Sequence, residues 1–189
     1  MSSSRDAERS LDAYLLAEIR LGDRGALDIL VRRWTPKMTA HAWRLLGERE
    51  PARDAVQESW TQALRGLARL KEDRAFAVWI LRIVTRQCAA HIKLRQRDRA
   101  LAEREAREPR ETGAGSRAEL APDQARVREA LASLPPAQSA AIALFYLQDM
   151  TIAEVAVALD VPAGTVKTRL MHAREKLRAF LEGEIDERS

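Results

Sequence analysis

The stretch TIAEVAVALDVPAGTVKTRLMHAREKLRAFL, residues 151–181, decides the fold of the C-terminal part of the chain. Residues 151–154 form a Thr-x-x-Glu capping box, which marks the N-terminus of a helix. That helix is predicted over Ile152–Leu159, and residues 160–164, DVPAG, contain the proline and glycine of a turn. A longer basic helix is predicted over residues 165–181. A short helix, a tight turn and a longer basic helix form the helix-turn-helix pattern.

The longer helix has two different faces when its residues are spaced at about 100° around a helical wheel. One narrow apolar stripe predicts a core face; it consists of Val166, Leu170, Ala173 and Leu177. Met171 lies at the centre of the opposite face, where contact with base edges and a thymine methyl would suit it. An ordinary solvated helix is the alternative, but the helix-turn-helix context favours DNA. The predicted contacts are with bases for Thr168, Met171 and His172, with a base or a phosphate for Lys167, and with phosphates for Thr165 and Arg174.

A second basic helix is predicted from Phe76 onward. Its helical wheel places Ile80, Ile83 and Leu94 on the same side as Phe76, which predicts a core face. Beside this face runs a stripe of four cations about 20 Å long. The stripe consists of Arg82, Arg86, Lys93 and Arg97. Such a stripe suggests contact with nucleic acid without being diagnostic of it.

The composition favours an all-α fold. Among the 189 residues, Ala and Leu number 56, whereas Val, Ile and Thr together number only 25. A chain with 46% hydrophobic and 32% charged residues is too apolar for a disordered tail and too charged for a membrane protein. No apolar run approaches the roughly 18 residues of a spanning helix, and the N-terminus lacks a signal-peptide core. We therefore expect a cytoplasmic protein without membrane insertion.

Two helical domains are expected, joined by a flexible linker at residues 101–123. This segment contains two prolines and two glycines and hardly any large apolar residue, so it cannot build a core. The first domain would then comprise residues 1–100 and the helix-turn-helix domain residues 124–189. In the first domain we predict a helix capped by Ser10, a kink or break at Pro36, and a core that includes all four tryptophans of the chain.

The residues of a catalytic or metal site are missing from the sequence. The one cysteine, Cys88, excludes an internal disulfide, and Cys88 with His91 supplies too few ligands for zinc. No Gly-rich phosphate loop occurs. A helical enzyme is therefore disfavoured, no cofactor is expected, and Cys88 is interpreted as a small buried residue.

Several motifs resemble those of one protein family. LPPAQ at residues 134–138 is similar to its "LPxxQ" opening, and residues 151–178 are similar to its helix-turn-helix, which includes "GTVKSRL". In the first domain, ARDAVQESW at 52–60 resembles "AEDLVQEVF", and FAVWILRI at 76–83 resembles "FRAWLYRI". The family is the extracytoplasmic-function (ECF, group IV) sigma factors of the sigma-70 class, and the resemblance extends over nearly all of residues 11–181.

The resemblance implies a non-catalytic function in transcription initiation. Members of this family bind core RNA polymerase, at the β′ clamp helices and the β subunit, and direct it to particular promoters. By position, Asp54, Gln57 and Glu58 would contact the clamp. The cationic stripe and the loop at residues 69–75 would contact the downstream promoter element, and the basic helix of the helix-turn-helix would hold the upstream element. Anti-sigma factors often control such proteins and are therefore an implied partner.

Four residues depart from the family pattern: Arg86, Ala90, Ser139 and His172. They leave the fold assignment intact but bear on the promoter preference. The alternative function is that of a two-domain helix-turn-helix regulator that acts without being a polymerase subunit. In the response regulators of that kind, the N-terminal domain has alternating strands and acidic phosphoacceptor clusters, and residues 1–100 show neither.

Overall fold

The computed structural model describes residues 2–105, 130–131 and 133–186. Within these ranges the chain consists of helices and turns without a β-strand, so the predicted all-α class is confirmed. The α-helices with described bounds are α1 (Ser2–Arg20), α2 (Arg24–Leu46), α3 (Arg49–Gly66), α4 (Phe76–Glu105), α5 (Pro136–Ile142), α6 (Ile152–Leu159) and α7 (Ala163–Asp186).

The helix cap predicted at Ser10 is wrong, because Ser10 lies well inside α1. The Arg, Ala and Glu residues before it are good helix formers and let the helix begin earlier. The capping residue in this region is Asp23, which precedes α2. Its carboxylate accepts hydrogen bonds from the backbone N–H of Gly25 at 2.7 Å and of Ala26 at 3.3 Å.

Of the kink or break predicted at Pro36, the break does not occur, and α2 continues through the proline as one helix. Leu30 and Met38, one on each side of the proline, are both fully buried. Packing of this kind supplies most of the stability of a helix in a protein and outweighs one lost backbone hydrogen bond. Tertiary contacts, which a single-helix pattern does not show, therefore keep α2 continuous.

The core of the N-terminal half is built around Phe76, which is fully buried at the start of α4. Its ring centroid lies 5.5 Å from that of Trp34, edge to face, and 5.9 Å from that of Trp79. Trp60 is partly buried against the same core. The predicted tryptophan core thus holds for three of the four, whereas Trp43 is 40% exposed.

The apolar face predicted for α4 is buried only in its first half. Ile80 and Ile83 are buried as predicted, but Leu94 is 57% exposed, so its assignment to the core is wrong. Cys88 is the last buried residue in the part of α4 whose side chains are described. A helical wheel gives the direction of a side chain but not the point at which the neighbouring helices end.

The structure describes only the first residues of the predicted linker. α4 extends to Glu105, so residues 101–105, which the sequence assigned to the linker, are helical. Residues 106–123 of the linker lie outside the described residues.

The helix-turn-helix is formed by α6 and α7, with α6 at its predicted bounds. The capping box is present: the Glu154 N–H donates to Thr151 Oγ1 at 3.2 Å, and the Thr151 N–H donates to Glu154 Oε2 at 2.8 Å. α7 begins at Ala163, two residues earlier than predicted. Before the motif, α5 is followed by a π-helical turn over Ala143–Leu147.

The two halves of the chain pack directly against each other. α6 lies against α4, and α5 lies against α2. The buried apolar residues of both halves belong to one continuous cluster. The helix-turn-helix is therefore seated on α4, the helix that carries the cationic stripe.

Candidate functional site

The predicted polymerase-binding residues share one exposed face of α3. Asp54, Gln57 and Glu58 all lie at the surface. Glu58 also reaches α4, where its Oε2 lies 3.2 Å from Nε2 of His91. This face therefore presents carboxylate and amide groups that a cationic partner surface could contact.

An apolar groove of about 470 Å³ lies beside this face, between α2 and α3. Its lining includes Val31, Trp60 and Leu64, and Gln57 borders it. The indole N–H of Trp60 donates to Thr35 Oγ1 at 3.0 Å, which fixes the ring between the two helices. The groove needs both helices, so sequence patterns within one helix did not reveal it.

The segment between α3 and α4 is held in place by α1. It contains short 3₁₀ turns at Leu67–Arg69 and Asp73–Ala75. The guanidinium of Arg20 donates to the two Asp73 carboxylate oxygens at 2.6 and 2.7 Å and to the Leu70 carbonyl at 2.9 Å. The hydrogen bond from Arg20 lowers the pKa of Asp73. No sequence pattern indicated that Arg20 would contact this segment.

The stripe of four cations on α4 is divided into two parts by its surroundings. Lys93 and Arg97 are exposed. Arg82 and Arg86 both contact Asp160, with 2.7 Å from Arg82 Nη2 to Oδ1 and 3.2 Å from Arg86 Nε to Oδ2. Hydrogen bonds from Arg82 and then Arg86 lower the pKa of Asp160. In the sequence, Asp160 belongs only to a predicted turn, and no local pattern indicates this contact.

The two faces of α7 are arranged as the helical wheel predicted. Val166, Leu170 and Ala173 are buried, and Leu177 packs partly against the core. Met171 is 49% exposed on the outer side. The remaining predicted contacts are also accessible: Thr165 is half-buried, and the exposed ones are Lys167, Thr168, His172 and Arg174.

Two of these outer residues have local hydrogen bonds. The Thr168 hydroxyl donates to the Gly164 carbonyl at 3.1 Å, which leaves its methyl group and an oxygen lone pair for a partner. Arg174 Nε donates to Tyr146 Oη at 3.0 Å, and its guanidinium carbon lies 5.7 Å from the tyrosine ring centroid. Tyr146 lies in the π-helical turn, so this support for Arg174 could not be deduced from α7 alone.

The interior of the N-terminal half contains the one cysteine of the chain, Cys88. Cys88 is buried, and burial raises the pKa of its thiol to about 12, in line with its interpretation as a packing residue. Among the residues that the structure describes, no group of three or more His, Cys, Asp or Glu could hold a metal. None of the described helices has the length and apolar character needed to cross a membrane.

Comparison with known proteins identifies the family. The family model of Sigma-70 region 2 matches residues 30–98, and that of Sigma-70, region 4 matches residues 124–177. The ECF RNA polymerase sigma factor SigM of Mycobacterium tuberculosis is 34% identical over 174 residues, which cover 92% of this chain and 86% of that protein. The chain belongs to the extracytoplasmic-function sigma factors. As a member of the sigma-70 family, this sigma factor binds DNA and directs RNA polymerase to specific promoters in transcription initiation.

Other relatives and solved structures agree with this assignment. The ECF RNA polymerase sigma-E factor of Escherichia coli K12 is 28% identical, covering 90% of this chain and 94% of that protein. The sigma factor RpoE of Bartonella quintana, solved with the anti-sigma factor NepR, has a TM-score of 0.63 at 20% identity and covers 82% of this chain and 96% of that one. CnrH, solved with the cytosolic domain of CnrY, has a TM-score of 0.62 at 24% identity and covers 92% and 98%. These structures share the fold. A helix-turn-helix regulator that acts without polymerase is not favoured.

Proposed function

We propose that this sigma factor works through three surfaces, each on a different helix. The single observation that carries the proposal is which groups each helix exposes. α3 exposes hydrogen-bond acceptors, which suit a protein partner, and α4 and α7 expose cations, which suit DNA. Residues 1–100 bind polymerase and open the promoter, and residues 124–189 hold the upstream element. Residues 101–123 connect the two. The sigma factor has no catalytic centre and acts by positioning the polymerase.

The α3 surface binds the clamp helices of the polymerase β′ subunit, and the β subunit is a further contact. Asp54, Gln57 and Glu58 offer acceptors to arginines of the clamp. The groove beside Gln57 takes an apolar side chain of the same partner. A combination of charged and apolar contacts gives both specificity and affinity to such an interface.

The two DNA-binding surfaces contact different elements of the promoter. Arg82, Arg86, Lys93 and Arg97 contact the downstream element and help to open it, which requires extruding bases at a cost of about a few kcal/mol. The outer face of α7 reads the upstream element in the major groove. An anti-sigma factor is a further partner, and this part of the proposal is supported by the similar Bartonella quintana sigma factor, which was solved with one.

Charge reversal on α3 tests the polymerase surface. The variant Asp54→Arg/Glu58→Arg places cations opposite the cationic partner surface and should abolish binding of the full chain to core polymerase in a pull-down. Circular dichroism should remain that of the wild type, because substitutions at exposed positions cost little stability.

The matched control is Asp6→Arg/Glu72→Arg, which makes the same change in net charge at exposed positions outside α3. It should bind polymerase like the wild type. If the α3 variant retained its affinity, the assignment of this surface would be wrong.

Alanine substitution on α4 tests the downstream surface. In the assembled holoenzyme, Arg82→Ala/Arg86→Ala should reduce open-complex formation, seen as weaker permanganate reactivity of promoter thymines, and leave core binding unchanged. Arg24→Ala/Arg32→Ala removes the same charge from exposed positions of α2 and serves as the control. Equal footprints for the α4 variant and the wild type would contradict the assignment.

A further inference from the structure

The turn between α6 and α7 brings a carboxylate to the N-terminal half of the chain. Asp160 ends α6 in the left-handed region, at φ 55° and ψ 45°. An aspartate tolerates this conformation better than most residues, although glycine is favoured there. The backbone N–H of Asp160 bonds back to α6, so its side chain extends from a fixed point of the turn.

Both carboxylate oxygens of Asp160 contact the cationic stripe. Oδ1 accepts from Nη2 and Nε of Arg82, at 2.7 and 3.2 Å, and Oδ2 accepts from Nε of Arg86 at 3.2 Å. Arginine binds a phosphate through the same guanidinium N–H donors that Arg82 and Arg86 give to this carboxylate. Asp160 therefore accepts from donors that a DNA phosphate would otherwise use.

A second ion pair joins the same two halves. Arg9 of α1 contacts Oε1 of Glu154, while Oε2 of the same carboxylate completes the capping box with Thr151. Burial would raise the pKa of Glu154, but hydrogen bonds from the Thr151 backbone and from Arg9 outweigh it and lower the pKa. The Arg9 and Glu154 side chains are 21% and 22% exposed, so this pair is better shielded from solvent than the pairs of Asp160.

The apolar contact of α6 with α4 continues this interface below the ion pairs. Arg86 is one of the residues that depart from the family pattern, which has Asn at this position. The contact of Asp160 Oδ2 therefore depends on a residue that departs from the family pattern. Two ion pairs and a shared apolar core are what a specific intramolecular docking surface requires.

We propose that the helix-turn-helix half of the free sigma factor competes with promoter DNA for the α4 stripe, with Asp160 occupying Arg82 and Arg86 in place of a phosphate. This inference rests on the proposed function in one respect, the assignment of the α4 stripe to downstream DNA. When the two halves are packed together as in this structure, Asp160 occupies Arg82 and Arg86, while the outer face of α7 stays exposed. The free chain is therefore able to engage an upstream element before its downstream surface becomes available.

Removing the two acidic contacts tests the competition. Asp160→Asn keeps a residue that tolerates the left-handed conformation, and Glu154→Gln keeps the capping box, since Gln serves there as well as Glu. The probe is a single-stranded DNA of mixed sequence carrying a photoreactive bromodeoxyuridine. Crosslinked peptides from the full-length chain are assigned by mass spectrometry to α4 or to α7.

The double variant should raise the yield of α4 crosslinks about two- to fivefold relative to α7 crosslinks, because exposed ion pairs contribute about this much. Small-angle scattering should show a larger radius of gyration for the variant. Glu50→Gln, a loss of one exposed carboxylate elsewhere, should change neither measurement.

An unchanged ratio of α4 to α7 crosslinks in the double variant would overturn the competition. That failure differs from a failure of the proposed function, which the footprints of the Arg82→Ala/Arg86→Ala holoenzyme decide separately. If those footprints weaken and the crosslink ratio stays constant, α4 binds the promoter but Asp160 does not compete for it.

Discussion

The two basic helices of this sigma factor, α4 and α7, look alike in sequence and differ in the structure. Each has an apolar stripe on one side and cations on the other. On α4, Arg82 and Arg86 are paired with Asp160, whereas the residues of α7 that are predicted to contact bases are open to solvent. A cationic stripe in a sequence therefore indicates where nucleic acid could bind, and contacts from distant residues decide whether that surface is available.

The difference also follows from how each helix is packed. α7 lies against α5 and α6 of its own half, so its outer face is directed away from the core. α4 packs against α2 and α3 on one side and against α6 of the other half on another. α4 contacts helices of both halves, and its predicted functional surface is therefore partly covered.

Substitution of Phe76 should have the largest effect on the half of the chain that contains α4. Phe76→Ala should destabilise the N-terminal half by about 3–5 kcal/mol, as large-to-small core substitutions do. All four tryptophans lie in that half, so their fluorescence in urea reports its unfolding. We expect α7 to retain upstream duplex binding after the tryptophan signal has changed, because α5, α6 and α7 pack against one another.

Leu94→Ala is the matched control for this prediction, since it removes an exposed apolar side chain from the same helix. Its effect on the free energy of unfolding should stay within about 0.5 kcal/mol. Loss of duplex binding together with the tryptophan transition would show that the two halves unfold as one unit.

Acid should also destabilise the N-terminal half selectively, through His41. Its Nε2 lies 2.9 Å from Thr85 Oγ1, its Nδ1 is buried without a partner, and burial, assisted by Arg44, lowers its pKa to about 3. In the unfolded chain the pKa of this histidine is about 6.5. Below that pH the unfolded chain binds a proton at the imidazole, whereas the folded chain does not. The contribution of this residue to stability should therefore fall by about 1.4 kcal/mol per pH unit from about pH 6.5 down toward the folded pKa.

The measurement is urea denaturation between pH 7 and pH 4.5. His41→Gln lacks the titrating group and should show a flatter pH dependence than the wild type, whatever its stability at pH 7. His172→Gln, at an exposed position of α7, is the control and should keep the wild-type slope. Parallel curves for His41→Gln and the wild type would be inconsistent with a neutral buried His41.

These predictions depend on features that the sequence revealed to different degrees. The capping box at Thr151, the bounds of α6 and the buried side of α7 could be predicted, because each is set by residues within a few turns of one another. The exposure of Leu94 could not be predicted, and the choice between a kink and a break at Pro36 stayed open, since both depend on where neighbouring helices pack.

The candidate surfaces show the same division. Helical spacing was enough to place Asp54, Gln57 and Glu58 on one exposed face. The contact of Asp160 with Arg82 joins residues 78 positions apart, and no local pattern contains it. Its only local signal was an acidic residue at the turn of a basic motif.

Substitution of His172 sharpens the assignment of α7 as the reading helix. His172→Arg restores the residue usual in the family and should shift the preferred upstream element by about 1–3 kcal/mol at one base pair, because arginine donates two hydrogen bonds to guanine. Selection from randomised upstream elements by the holoenzyme measures the shift. His91→Arg, the same substitution on α4, should leave the selected upstream sequence unchanged. An unaltered selection with His172→Arg would remove this residue from the reading face.

Arg174 should behave as an anchor rather than as a reader. Arg174→Ala should weaken binding to all upstream elements alike and reduce the slope of log affinity against log salt by about one, as the loss of one phosphate contact does. The measurement is fluorescence anisotropy with several duplexes over a range of salt concentrations. A change in the order of preference among the duplexes would place Arg174 at a base instead.

The smallest expected effect is that of Tyr146, which distinguishes the charge of Arg174 from its position. Tyr146→Phe keeps the ring under the guanidinium and removes the hydroxyl that accepts from Arg174 Nε. Upstream binding should weaken by about two- to fivefold, the contribution of one such hydrogen bond, because Arg174 is then less well oriented. The salt slope should stay at its wild-type value, since the charge is retained. A salt slope reduced as far as in Arg174→Ala would mean that Tyr146 is required for the phosphate contact itself. An affinity equal to that of the wild type would mean that Arg174 needs no orientation by Tyr146.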